Sequence, residues 1–224
     1  MSMIKDLDQS SLKQWVEDSL SNNTNILAAG YQGKTLLYSD NDQKLVIKIP
    51  HGRGFIKYLH TRMIRHEARV YQQLQNMEGT PACYGLIDNQ YLALEFINGD
   101  PIRNKRPINN EHYFESLFKL IEQMHKKGVA HMDLKKKDNL LVTHHDEPCA
   151  LDFGAAIIRK EGFHPINHFL YRLAIRFDYN AWIKHKYYNR NIQNIHGIDA
   201  EDAIYYRRTY IEKIAKKIKQ LFTL

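Results

Sequence analysis

The sequence predicts an α+β chain with a small antiparallel-sheet lobe built around one main helix, followed by a reduced helical lobe. Three observations carry that expectation. Before residue 98 the apolar periodicity runs strand, strand, helix, strand, strand. The turn-forming run Asn98-Gly-Asp-Pro101 then separates this part from one where helical periodicity dominates. The 224 residues are 43% hydrophobic and 25% charged, an ordinary globular profile with enough core to need no disulfide staple.

The elements follow in order. Gln9 to Leu20 places Leu12, Trp15, Val16 and Leu20 at helical spacing, with Ser10 or Ser11 as the expected cap. Thr35–Ser39 and Lys44–Ile49 read as strands around the turn Asp40-Asn-Asp-Gln43, the second stopping at Pro50. His51 to Phe55, with two glycines, reads as a loop. Thr61 to Met77 is helical, with Ile64, Ala68, Tyr71 and Leu74 on one stripe. Cys83–Ile87 and Tyr91–Ile97 form a hairpin around Asp88-Asn89. Asn110 caps a helix to about Lys127, with Leu117, Leu120, Ile121 and Met124 facing one way and Gly128 ending it. Leu140–Thr143 and Cys149–Leu151 make a small hairpin across the polar turn His144-His-Asp-Glu147. Helices over 166–188 and 200–222 finish the chain. We take residues 1–97 and 98–224 as two lobes of one domain.

Charge is unevenly placed. Residues 155–224 hold 13 Lys and Arg against 6 Asp and Glu, which accounts for the whole net charge of +7. A solvated helical face explains this, and so does attraction to an anionic membrane or an acidic substrate; nucleic acid has only the net charge behind it. Cys83 and Cys149 have no CxxC partner and read as neutral thiols in a reducing compartment. The start, MSMIKDLDQSS, lacks the basic and apolar regions of a signal peptide, and no run reaches about 18 apolar residues. The expectation is a cytoplasmic location, with peripheral attachment to a membrane and delivery to another cell as the alternatives.

The chemistry concentrates in a few motifs. His131-Met-Asp-Leu-Lys-Lys-Lys-Asp-Asn139 sits between a helix end and a strand, and Asp152-Phe-Gly154 begins thirteen residues after Asn139. Upstream stands Leu45-Val-Ile-Lys48, and Glu67 follows Lys48 by nineteen residues, inside the first long helix. In these four motifs the chain, over about residues 27–155, resembles the protein kinase superfamily, whose catalytic loop reads HRDLKxxN and whose metal motif reads DFG.

The resemblance implies a bilobal protein-kinase-like fold and an ATP-dependent phosphotransferase using Mg2+, with Mn2+ as the alternative metal. Asp133 would accept the proton of the acceptor hydroxyl, and Lys135 would contact the transferred phosphate, as in Ser/Thr protein kinases. Lys48 would reach the α/β-phosphates with Glu67 as its partner. Asp152 and Asn139 would supply hard oxygen ligands to the metal. Gly30-Tyr-Gln-Gly33 stands where the glycine-rich loop belongs and keeps a G-x-x-G core, which an ordinary hairpin turn also explains. Backbone groups of Glu95 and Ile97 would bind the adenine edge, with Leu94 as gatekeeper. His131 is expected to be structural. His144 and His145 read as a solvated turn, not as metal ligands. Asp178 either braces the catalytic loop or is a surface aspartate among arginines.

Two departures bear on the acceptor. Five residues separate Asp133 from Asn139, where the family has four, so either the loop bulges and Asn139 keeps its role or Asp138 joins in binding metal. Only seventy residues follow Gly154, with no APE motif and no long activation segment. The truncation is similar to that of the smallest bacterial kinase-like enzymes, among them RIO-like, lipopolysaccharide-core sugar and secreted effector kinases. The leading expectation is a compact Ser/Thr protein kinase. The alternatives are a lipopolysaccharide-core or other sugar kinase with a glycolipid acceptor at the inner membrane, and a nucleotide-binding pseudokinase scaffold. In the last helix Ile204, Ile211, Ile214, Ile218 and Leu221 form an apolar stripe beside Arg207, Arg208, Lys213, Lys216, Lys217 and Lys219, a face suited to an anionic membrane.

Overall fold

The computed structural model describes residues 9–30, 33–40, 43–187 and 198–206. The chain forms two compact units, one of Met1–Asn98 with Asp152–Gly154, the other of Gly99–Leu151 with Ala155–Leu224. Its class is mixed α/β, with a five-stranded antiparallel sheet and several helices.

In the first unit, α1 (Gln9–Asn22) precedes β1 (Ile26–Ala29), β2 (Gly33–Asp40) and β3 (Gln43–Pro50). Helix α2 (Gly54–Gln73) and the hairpin β4 (Cys83–Ile87) and β5 (Tyr91–Glu95) follow. The sheet order is β1-β2-β3-β5-β4. The alternation along β3 explains what each face does. Leu36, Ile47 and Ile49 lie in one apolar cluster with Leu12 and Val16 of α1, and Trp15 meets Tyr38 edge to face at 5.0 Å. With a side-chain period of two, Lys48 must point to the opposite face. There it shares its register position with Leu92 and meets α2.

Several expectations need correcting here. Ser10 and Ser11 lie inside the first turn of α1 rather than capping it. β1 has no counterpart in the sequence reading. Helix α2 begins at Gly54 rather than Thr61, because Gly52, at φ +101°, reverses the chain within the short run from His51. The stripe Ile64, Ala68, Tyr71 and Leu74 is buried as the periodicity requires.

In the second unit, β6 (Gly99–Pro101) pairs with β8 (Leu140–Thr143), which pairs with β9 (Pro148–Ala150). The run read as a linker thus contributes a short strand. Helix α3 (Asn110–Lys126) is capped by Asn109, not Asn110: the Asn109 side chain accepts from His112 N at 3.1 Å. Asp146, in the β8–β9 turn, accepts from the backbone N–H groups of Ile108 and Asn109, both at 2.8 Å, and fixes that helix start. Gly128, at φ +74°, ends α3 as expected. Two further short strands, β7 (Val129–Ala130) and β10 (Ile157–Ile158), pair with each other.

Helix α4 (Pro165–Lys186) has proline in its first turn. Its buried face is Tyr171, Ala174, Asp178, Ala181, Trp182 and His185, and Trp182 Nε1 donates to Phe114 O of α3 at 2.7 Å. Helical spacing groups Phe169, Leu173, Phe177 and Trp182 as an apolar side, yet Phe169 is 62% exposed; a buried histidine and aspartate, invisible to an apolar count, shift the true face. Past α5 (Ala200–Ala203), the expected last helix lies outside the described residues from 207 on, and with it its cationic side chains and most of its apolar stripe. Ile204, read as part of that stripe, is exposed. Among the described residues no helix is long and apolar enough to cross a membrane, and Cys83 and Cys149 form no disulfide.

Candidate active site

The first unit holds a cation between two carboxylates. Lys48 Nζ donates to Glu67 Oε1 at 2.6 Å and to Asp152 Oδ1 at 3.0 Å. β3 aims the lysine at the α2 side of the sheet, and the buried stripe of α2 carries Glu67. Burial works against the ammonium charge, yet the two carboxylates outweigh it and hold the Lys48 pKa above its ordinary value. Glu67 Oε1 also accepts from Phe153 N at 3.1 Å, so one carboxylate oxygen ties the lysine to the backbone beside Asp152. Phe153 is buried and meets Tyr71 of α2 edge to face at 5.0 Å. Asp152 itself has φ +62°, a left-handed conformation that costs a non-glycine residue of order 1–3 kcal/mol. These neighbours hold it there.

The glycines expected to line phosphate sit at a turn between β1 and β2, where Gly30 N donates to Gly33 O at 2.9 Å. A Cβ on Gly33 would lie 2.0 Å from Ile49 O, so close strand approach alone demands glycine there. Gly30 faces open space. Glu95 ends β5; its N–H donates to Ala82 O at 2.9 Å and its side chain accepts from Ala82 N at 3.0 Å. Ile97 follows in irregular chain.

The second unit holds Asp133. Its loop, 131–139, is braced by Asp178 of α4, which is fully buried. Asp178 Oδ2 accepts from His131 N at 2.8 Å and Oδ1 from Met132 N at 2.7 Å. His125 Nε2 donates to the same Oδ2 at 3.0 Å. Met132 is held at φ +70° by this grip. His131 is structural: Nε2 donates to Leu151 O at 2.8 Å, while Nδ1 accepts from Asp133 N at 3.3 Å. Both ring nitrogens are thereby spent on backbone. His185, about two helical turns beyond Asp178, donates from Nε2 to Leu134 O at 2.8 Å. Burial pushes its imidazole below the ordinary value, with that hydrogen bond opposing.

The additional loop residue is absorbed locally. Lys136 N closes a turn on Asp133 O at 3.2 Å, and a 3-10 turn over Lys137–Asn139 brings Asn139 back to Asp133. Asn139 Nδ2 donates to Asp133 O at 3.1 Å and to Asp133 Oδ2 at 3.2 Å. Asp133 Oδ1 meets no donor among the described residues. Asp138 turns the other way, into a two-pronged pair with Arg103 at 3.0 and 3.2 Å. Lys135 is exposed.

Sequence reasoning missed His125 and His185. Each is a lone histidine in a helix, and only the fold shows that both serve the Asp133 loop. Among the described residues no three His, Cys, Asp or Glu side chains converge as a metal-holding group, and His144 and His145 occupy an exposed turn.

No family model matches the chain. A stretch of 101 residues, 42% of the chain, is 29% identical to Serine/threonine-protein kinase D of Synechocystis sp. and covers 20% of that protein. A stretch of 98 residues, 39% of the chain, is 29% identical to Probable serine/threonine-protein kinase fnkB of Dictyostelium discoideum and covers 18% of it. The chain spans about a fifth of the length of these curated relatives. This weak, partial likeness supports a kinase-like relationship and, at that level, a phosphotransferase.

Proposed function

We propose that the chain transfers the γ-phosphate of ATP to a hydroxyl, with serine or threonine of a protein as the first acceptor to test. The observation that carries the reading is Lys48 held between Glu67 and Asp152, a fixed cation suited to the α- and β-phosphates. Asp133, in the second unit, is assigned the role of base. Asn139 orients one of its carboxylate oxygens, while the other meets no donor among the described residues and is left to take the proton of the acceptor hydroxyl. The acceptor oxygen then bonds to the γ-phosphorus, the bond from that phosphorus to the β–γ bridging oxygen breaks, and ADP leaves. Lys135, exposed beside Asp133, is assigned to the transferred phosphoryl oxygens. The backbone at Gly30 and Gly33 is assigned to the phosphate tail, and the backbone of Glu95 and Ile97 to the adenine edge.

We assign magnesium, or manganese in its place, to two hard oxygen donors, one from each unit. Asp152 offers a partly exposed carboxylate, and Asn139, its amide nitrogen turned to Asp133, leaves its amide oxygen without a donor among the described residues. Bound there, the ion would neutralise phosphate charge. Asp138, committed to Arg103, is the weaker ligand candidate.

A second reading, a sugar or glycolipid acceptor, is favoured by the connection from β10 to α4, which spans only 159–164 and leaves little chain to seat a peptide. Incubation with radiolabelled ATP and either a protein mixture or lipopolysaccharide separates the two. Label in neither, with ATP still bound, would sink both and leave a nucleotide-binding scaffold. Asp133→Ala should lower turnover by about 10²–10⁴-fold and spare ATP binding; an unchanged rate would exclude Asp133 as the base.

A further inference from the structure

Helix α2 has an outer face that the Lys48–Glu67 pair does not explain. Its inner stripe, including Ile64, Glu67, Ala68 and Tyr71, is buried. Its first turns present the opposite character: Phe55 is 73% exposed, Tyr58 56%, Ile56 53% and Leu59 41%. The Phe55 and Tyr58 rings stack on each other at 6.4 Å instead of turning inward. Four bulky apolar side chains exposed within five residues are a local concentration, not the single scattered exposure usual on a surface.

Along the chain on both sides of these residues the charge is one-sided, up to Asp42 before them and Glu78 after them. Between residues 43 and 77 the chain has seven Lys and Arg and a single acidic residue, Glu67, which is buried against Lys48. Arg53, Lys57, Arg62 and Arg69 are exposed and pair with no carboxylate among the described residues. A surface of uncompensated cations calls for an anionic partner. The protruding Phe, Ile, Tyr and Leu call for a partner that can take bulky apolar groups without a preformed groove. A nucleic acid or a polyanion meets the first need and not the second. An anionic bilayer meets both: acyl chains receive the apolar tips while the cations stay among the headgroups.

We propose that the outer face of the first turns of α2 docks the protein on an anionic lipid bilayer. The surface is independent of the phosphotransfer reading, and its test needs neither ATP nor an acceptor. The full chain is sedimented with vesicles of phosphatidylcholine alone and of phosphatidylcholine with phosphatidylglycerol. Pelleting is expected with the anionic vesicles only. The Arg62→Glu/Arg69→Glu double variant should bind at least about thirtyfold more weakly, given about 1 kcal/mol per cation at such a surface. The Phe55→Ser/Leu59→Ser double variant should also lose binding, and here added salt should matter little to the loss. Unchanged thermal unfolding of both variants shows that the fold is intact, since all four positions are exposed.

Three results overturn the proposal. One is no pelleting on anionic vesicles. Another is pelleting that the α2 variants leave untouched, including the case where it is lost instead on substituting Phe163 and Ile166, which are exposed near Arg159 and Lys160. The third is binding to polyglutamate or DNA with none to vesicles, which would assign the face to an anionic polymer.

Discussion

Asp178→Asn isolates what a single buried carboxylate contributes to the Asp133 loop. The two Asp178 oxygens accept three hydrogen bonds, from His131 N, Met132 N and His125 Nε2, at 2.8, 2.7 and 3.0 Å. Asparagine keeps one acceptor oxygen and replaces the other with an NH2 group. In either orientation, that NH2 faces a backbone N–H that has no other acceptor in this grip. Stranding one buried donor costs about 1–3 kcal/mol, and the surviving bonds lose charge assistance, so a total of about 2–4 kcal/mol follows. For a chain of this size each kcal/mol shifts the melting temperature by roughly 2–4 °C, which gives a drop of about 4–16 °C. Met132, released from φ +70°, would relax and carry Asp133 with it. Urea unfolding should report the stability loss, and phosphotransfer should fall at least about tenfold even at temperatures where the variant is folded. Nucleotide binding should persist, because Lys48, Glu67 and Asp152 belong to the other unit. A stability change under about 0.5 kcal/mol would refute the bracing argument, since that is the range of an ordinary surface substitution. A stable loss of fold with full activity in the remaining folded fraction would refute the link from brace to Asp133.

Three further outcomes follow from the same geometry. Burial holds the His185 pKa below 6.5, so above that pH neither the folded nor the unfolded chain is protonated there; as pH falls through it, the unfolded chain binds a proton that the folded chain resists. Stability should therefore fall on acidification, by at most about 1.4 kcal/mol per pH unit from this group, and His185→Gln should show a shallower fall between pH 7.5 and 5.5; parallel curves would remove His185 as the cause. Gly33→Ala, whose Cβ would meet Ile49 O at 2.0 Å, should destabilise by about 1–3 kcal/mol in urea, while Gly30→Ala should stay within about 0.5 kcal/mol. Asn139→Ala should depress phosphotransfer strongly, whereas Asp138→Ala, which breaks only a partly exposed pair with Arg103, should change stability by less than about 1 kcal/mol and leave the rate near that of the wild type; a larger effect at Asp138 would reverse the metal-ligand assignment.

Much of the architecture was legible because apolar periodicity encodes it. The alternation over 44–49 and the stripe in α2 each mark which side meets a core, and Gly128 marks where α3 stops. What escaped was structure set by partners distant in sequence. β1 is four residues long and pairs only with β2; β7 and β10 are two residues each and exist because they pair across 27 or more positions. Such strands carry too few residues for a period. The true inner face of α4 escaped for another reason. Asp178 and His185 are polar, and an apolar count assigns them outward, yet they are buried because backbone groups of the loop satisfy them.

The same distinction runs through the candidate site. Lys48, Glu67, Asp133, Asn139 and Asp152 were named from the motif resemblance, and the structure brings Lys48, Glu67 and Asp152 together in one unit and Asp133 with Asn139 in the other. Their supports were legible only in part: Asp178 stood evenly between brace and surface residue, and His125 and His185 carried no signal. A reactive side chain must be of one type at one spacing, so the sequence exposes it. A support needs only to reach a backbone N–H or C=O, which every residue has, so many side chains qualify and none stands out. α4 illustrates the consequence. Its two buried polar residues, seven positions apart on one face, grip Met132 and Leu134 on either side of Asp133. The chain after Gly154 therefore supplies the loop with one helix, anchored to α3 through Trp182, that fixes Asp133 from both flanks.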